Sequence, residues 1–376
     1  MKTKKKRSSE REIRKKNCAA EMAEGVEVRS MKGVLLITNC LLLIMGTSGG
    51  PLVMRLYFIH GGHRVWLSSF LETVAFPFML VPLAVSYYRR RRDAAAAGSE
   101  KPKAISMKAP LFAASVFVGV LTGLDDYLYA YGVQRLPVST SSLIVATQLG
   151  FTALFALLLV RQKFTAFSVN AVVLLTVGAG VLALHSSGDR PAGESVKDYV
   201  MGFIMTLIGA ALYGFVLPFV ELVYKRIKQP LTYSLVMEFQ FVMCFSSTLF
   251  CTFGMIINND FKAIPREAKN FVHGEASYYA VLMASAILWQ AFFLGAIGVI
   301  FCASSLFSGI IIAMMLPVTE VLAVIFYKEK FQAEKGISLF LSLWAMLSYF
   351  YGEFKQARKL KNKNLDLETE VVPQNS

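Results

Sequence analysis

Glu72, Asp125, Asp126, Glu238 and Glu320 all stand inside long apolar stretches of this chain. An ionisable side chain in such surroundings is costly unless it faces a cavity or another polar group, so each of them is a candidate for chemistry. A carboxyl shielded from bulk water can take up a proton on one side of a barrier and give it up on the other. Neutral at rest and ionised when paired with a cationic solute, it couples solute movement to proton movement. The competing reading is an interhelical hydrogen bond that only holds helices together. Both readings stay open for Glu72 and Glu238, the two candidates for proton coupling. Asp125 and Asp126 follow Gly123 near the end of their stretch, where an interfacial place is expected. Glu320 comes just after Pro317, whose ring leaves a helical carbonyl unpaired, and its carboxyl can answer that local polarity.

A second group offers recognition without charge. Trp289-Gln290 sits in a row of aromatics with Phe292 and Phe293. A Gln amide presents donor and acceptor together, the pair that matches an adenine edge. A Trp ring gives a flat face on which a planar heterocycle can stack. Against this, aromatic side chains in membrane helices commonly face lipid or pack. Asn39, Thr47 and Gln148 add uncharged polar groups at span depth, Asn39 lying ahead of a Gly49-Gly50-Pro51 break where a discontinuous helix can line a site. The candidate solute-binding set is therefore Asn39, Glu72, Gln148, Glu238, Trp289 and Gln290.

No catalytic or metal constellation accompanies these residues. The chain carries no phosphate loop, no Gly-x-Gly-x-x-Gly and no His-Glu-x-x-His. His60, His63 and His273 fall in loops and His185 near a span end, while Cys18, Cys40, Cys244, Cys251 and Cys302 show no ligand or disulfide spacing. No cofactor is called for. A membrane-embedded enzyme should show a nucleophile and base, or a metal grouping, at one depth, and the sequence shows neither. A receptor would have no need of the internal repeat described below.

The elements that must position these groups are helices. The chain is 55% hydrophobic and only 17% charged, with a mean hydropathy of +0.51, more apolar and less charged than soluble domains. Only helices or closed barrels satisfy the backbone in lipid, and the apolar runs have the length of helical spans rather than of short alternating barrel strands. About ten such runs can be laid along the chain, at about 33–54, 65–88, 109–131, 137–160, 168–185, 198–224, 232–257, 276–300, 302–326 and 336–351. The net charge of +14 does not indicate nucleic acid, because the basic residues lie in tails and loops between the runs rather than on one soluble face. Basic residues near span ends place both termini in the cytoplasm, a reading that rests on the two tails and on the loop holding Arg89-Arg90-Arg91-Arg92. Residues 1–32 then form a basic cytoplasmic tail and 352–376 a charged one. No cleavable signal is expected, so the first run inserts uncleaved.

Sliding the chain along itself by about 166–167 positions brings several residues into coincidence in order. Pro51 falls on Pro218, Tyr57 on Tyr224, Ser68 and Glu72 on Ser234 and Glu238, and Lys163-Phe164 on Lys330-Phe331. The two halves, 33–185 and 198–351, joined by a loop at 186–197, then hold an odd number of spans each. The second half is inverted relative to the first, an arrangement typical of secondary transporters with the solute held between the halves. The expected fold is an all-α membrane protein of about ten transmembrane helices in two inverted five-helix repeats.

Several segments also resemble the plant purine permease family. They are Tyr57-Phe58-Ile59-His60-Gly61-Gly62, Glu72-Thr73-Val74-Ala75-Phe76-Pro77, Tyr131 through Thr140, Leu235 through Gln240, Trp289 through Gly295, and Leu316-Pro317-Val318-Thr319-Glu320. The resemblance covers residues 33–353. It implies the drug/metabolite transporter fold and proton-coupled import of adenine, cytokinins and related heterocycles, with alkaloids or vitamin B6-type solutes as the alternative. It also implies the plasma membrane. The expected partners are a small heterocyclic solute, protons and the lipid bilayer, with no nucleic acid. A phosphate-bearing solute would call for basic residues within the spans, which hold almost none.

Overall fold

The structure, a computed structural model, describes residues 32–96, 98, 103, 105–136, 138–162, 164–184, 196–327 and 333–371. Among them every regular element is helical. The order is α1 (Lys32–Ile59), α2 (Val65–Thr73), a 3-10 turn (Phe76–Met79), α3 (Leu80–Ala96), α4 (Ala109–Arg135), α5 (Val138–Val160), α6 (Ala166–Leu184), α7 (Val196–Arg226), α8 (Tyr233–Ile257), α9 (Asp260–Asn270), α10 (Glu275–Cys302), α11 (Ser305–Tyr327) and α12 (Ala333–Val371). Among the described residues six helical segments are long and apolar enough to cross a membrane, with three shorter apolar helices, Thr147–Val160, Ala166–Gly178 and Ser305–Thr319, beside them. Large apolar side chains such as Phe253, Ile257, Phe340 and Trp344 point outward, as a bundle wrapped in hydrocarbon requires. This is a membrane protein.

Local sequence explains the breaks. Pro77 disfavours helix at the residue before it and donates no backbone hydrogen bond, so α2 ends at Thr73 and the span resumes only after the 3-10 turn. Glu72 therefore sits in the last turn of a short helix. Thr232 caps α8, its hydroxyl accepting the Leu235 N–H at 3.3 Å. The segment after α8, expected as the longest polar loop of its half, folds as α9 instead. Asp260, Ala263 and Ala268 of α9 face inward while Lys262, Arg266 and Lys269 face outward. At the other end α12 runs on to Val371, into the charged segment expected as a tail, because Lys, Arg, Leu, Glu and Gln there are strong helix formers.

The centre of the bundle is built by α4 packing on α7 and α8, α5 on α7, and α2 on α4, α8 and α10. One buried cluster draws on α1, α4, α7, α8, α10 and α11, including Leu43, Val118, Leu217, Phe239, Trp289 and Ile312. α1 and α10 approach closely because Gly295 and Gly298 have no side chain. A Cβ on Gly295 would meet the backbone of Asn39 and Leu43, and one on Gly298 would meet the Asn39 amide.

Candidate functional site

A cavity opens where α1, α2, α4, α5, α7, α10 and α11 converge. Thr47 and Pro51 reach it from α1, Glu72 from α2, Asp125, Asp126 and Tyr129 from α4, and Val145 and Gln148 from α5. Thr206 and Tyr213 come from α7, Trp289, Phe292 and Phe293 from α10, and Ile312 and Leu316 from α11. Among the described residues no Lys, Arg or His stands in this lining. The second aspartate lies one residue on from the first in α4, so Asp125 and Asp126 leave the helix about 100° apart, and both reach the lining. Both are buried, unlike the interfacial position expected of them. The cause is tertiary, since α4 is enclosed by α2, α7 and α8 at that level.

Glu72 and Asp126 stand together in the lining, and two carboxyl groups sharing one apolar wall do not both ionise readily. Asp126 Oδ2 accepts the Ser247 hydroxyl at 3.1 Å. Glu72 Oε1 and the Trp289 indole nitrogen are buried without a partner. The cavity wall thus presents one open acceptor and one open N–H donor. Aromatic faces surround them: Trp289 meets Tyr129 edge-on at 5.9 Å and 74°, and Phe292 at 5.4 Å and 80°, while Tyr213 stacks on Phe292 at 5.8 Å. Thr47 and Thr206 return their hydroxyls to the Leu43 and Gly202 carbonyls of their own helices at 2.7 and 2.8 Å, leaving their methyl groups for the wall.

Of the six residues in the candidate solute-binding set, Glu72, Gln148 and Trp289 meet in this cavity. The other three lie elsewhere. Gln290 follows Trp289 on α10 and so points about 100° away around the helix, where its Nε2 meets Met79 Sδ at 3.2 Å. Asn39 is enclosed between α1 and α10. Its Oδ1 accepts the Tyr233 hydroxyl at 3.2 Å and its Nδ2 donates to the Leu35 carbonyl at 2.8 Å. Glu238 lies near the start of α8, away from the cavity lining. Its Oε2 accepts the backbone N–H groups of Ser106 and Met107 at 2.8 and 3.1 Å, and Arg90 Nη2 stands 3.5 Å from Oε1. The side chain of Glu320, residues 1–31 and His185 are outside the described residues.

Two features were not singled out from sequence. Tyr129 and Tyr213 reach the cavity from helices whose aromatic residues are spread around every face, so no periodicity marks them. Glu221 is buried and caps the start of α11, accepting the Ser305 N–H at 2.7 Å and the Ser305 hydroxyl at 2.5 Å, with Lys225 Nζ 2.7 Å away. The Glu221–Lys225 spacing of one helical turn was the legible sign of it. Among the described residues no group of His, Cys, Asp and Glu has the makings of a metal site.

Known proteins resemble the chain across almost all of its length. A family described as "Purine nucleobase transmembrane transport" matches residues 34–359. Purine permease 3 of Arabidopsis thaliana is 54% identical over 86% of this chain and 92% of its own. Purine permease 2 of the same plant is 54% identical over 90% and 97%, and its probable purine permease 11 is 32% identical over 85% and 82%. One solved crystal structure, at 13% identity, overlays with a TM-score of 0.50 across 88% of this chain and 99% of its own, a likeness of fold alone.

Proposed function

The chain belongs to the purine nucleobase transmembrane transport family, and from that premise we propose that it couples purine movement to protons at the cavity beside Glu72. It is a transporter of purine nucleobases, not an enzyme. The observation that carries the coupling is the buried acid cluster: Glu72, Asp125 and Asp126 line the cavity, and among the described residues no cation lines it with them. Such a cluster holds a proton in one orientation of the carrier and gives it up in the other. It disfavours phosphate esters and other anions, whose charge would meet only carboxyl groups there.

A planar base fits the remaining chemistry. Its ring lies against the face of Trp289, with Tyr129 and Phe292 bordering it, and an amino or ring N–H donates to Glu72 Oε1. Gln148 supplies a further donor and acceptor. An adenine substituted on its amino group, as cytokinins are, places its substituent along Val145, Ile312 and Leu316. Glu238, Asn39 and Gln290 act outside this contact set.

Alternating access requires two opposed halves, and the helix pairings support ten spans in two inverted repeats. α4 packs on α8 as α10 packs on α2, α5 packs on α6 as α11 packs on α12, and α6 meets α12. The connections before α2 and before α10 share one end of the bundle, where Val272 N donates to the His60 carbonyl at 3.3 Å. That end is external in a plasma-membrane protein with cytoplasmic termini. Yeast cells making the protein should take up labelled adenine faster at acidic external pH. Uptake that ignores both pH and a protonophore would remove the coupling, and failure of purines and cytokinins to compete would remove the solute assignment.

A further inference from the structure

Behind the cavity a chain of buried hydroxyl groups ends on one carboxyl. Thr248 Oγ1 donates to Thr73 Oγ1 at 3.1 Å, Thr73 Oγ1 to Ser247 Oγ at 3.2 Å, and Ser247 Oγ to Asp126 Oδ2 at 3.1 Å. The chain crosses from α8 to α2, returns to α8 and then reaches α4, and Thr73 and Ser247 are wholly enclosed. Hydroxyls in apolar helices ordinarily satisfy themselves on the carbonyl one turn back. Thr47, Thr206 and Thr252 do so here. Thr73, Ser247 and Thr248 instead bond to one another, in one direction. A carboxylate can only accept, so an ionised Asp126 fixes that direction: each hydroxyl accepts from the one behind it and passes its own proton forward.

We propose that Asp126 is the ionised member of the Glu72–Asp126 pair, positioned by the Ser247–Thr73–Thr248 donor chain, and that Glu72 carries the exchangeable proton. Glu72 receives no such donors. Its Oε1 faces the cavity without a partner, so this carboxyl meets both the solute and the water that brings and removes the proton. The titratable groups packed around Asp126 are Glu72 from α2, Asp125 on its own helix, Tyr213 from α7, and Cys244 and Cys251 from α8. None of them is a cation that could hold Asp126 ionised in place of the hydroxyl chain. Ser247, Thr73 and Thr248 are thus positioning residues that act through Asp126. Their role in transport rests on the proton-coupled reading above; the placement of the proton does not.

Two measurements separate those claims. In the first, uptake of labelled adenine is followed against external pH in the full-length protein. Ser247→Ala removes the last donor, so the pair keeps its proton to higher pH and the pH of half-maximal uptake should rise by about one unit. Ser247→Thr should restore the wild-type profile. Thr73→Val and Thr248→Val should move it the same way by less, which serves if Ser247→Ala fails to reach the membrane. An unchanged profile in all three at normal abundance overturns the positioning role. In the second, the infrared carbonyl band of protonated carboxyl groups is recorded on purified protein, with Asp125→Asn as the background. The band should vanish with Glu72→Gln and survive Asp126→Asn; the reverse overturns the proton's placement. If wild-type uptake ignores pH while the bands behave as stated, the coupling fails and the placement stands. If uptake is coupled but the bands are reversed, only the placement fails.

Discussion

Glu72 and Glu238 occupy equivalent places in the sequence repeat, yet one faces the cavity with an open oxygen while the other is tied to Arg90 and to two backbone N–H groups of the α3–α4 connection. The proposed repeat keeps the residue and divides its work. Glu72→Gln should reduce pH-driven uptake by at least about tenfold, the effect of 1.4 kcal/mol on a rate, with the protein still present in the membrane. Glu238→Gln keeps the acceptors for Ser106 and Met107 and loses only the ion pair with a partly exposed Arg90. It should change uptake by less than about threefold and leave the pH profile in place. Equal losses in both variants would return the two residues to one shared role.

Trp289 supplies the face on which the base lies. Trp289→Ala removes it, and loss of stacking of about 1–3 kcal/mol predicts a rise of about fivefold or more in the KM for adenine. Trp289→Phe keeps a face and should recover part of that loss. A KM unchanged by either variant would place the solute elsewhere.

The contact of α1 with α10 depends on Gly298. A methyl group there meets the Asn39 amide, so Gly298→Ala should lower thermal stability in detergent by about 1–3 kcal/mol. Shortening the obstructing side chain with Asn39→Ala in the same protein should recover part of it. Additive losses in the double variant would mean that the two positions are not in contact.

At the end of the bundle where α9 lies, Asp260 is enclosed. Burial raises its carboxyl above the ordinary value, an effect opposed by the Asn258 amide at 2.8 Å and by Arg64 at 3.5 Å. A carboxyl raised on folding binds more protons in the folded state, so its contribution is most favourable at low pH and falls as pH rises from about 4 toward neutrality. Melting curves in detergent should show wild type losing ground to Asp260→Asn over that range. A constant difference between the two would mean that Asp260 titrates alike in both states.

The amino-acid sequence determined the things that depend on length and type. Apolar runs demanded helices, and the offset between Glu72 and Glu238 pointed to a repeat; the break expected at Gly49-Gly50-Pro51 is absent, α1 running unbroken from Lys32 to Ile59 with Leu288 and Trp289 packed against the two glycines. Trp289 and Gln148 were legible as polar or amphipathic groups at depth. What sequence could not decide was direction. Asp125 and Asp126 read as interfacial from their distance along α4, because only the packing of α2, α7 and α8 encloses that level. Trp289 and Gln290 read as one unit, yet adjacent residues on a helix diverge by about 100°, and one faces the cavity while the other faces Met79. Equivalence in sequence likewise could not tell that Glu238 would meet Arg90. A repeat transmits the fold of a helix, but a carboxyl's chemistry is set by the atoms within about 4 Å of it, and those come from other parts of the chain.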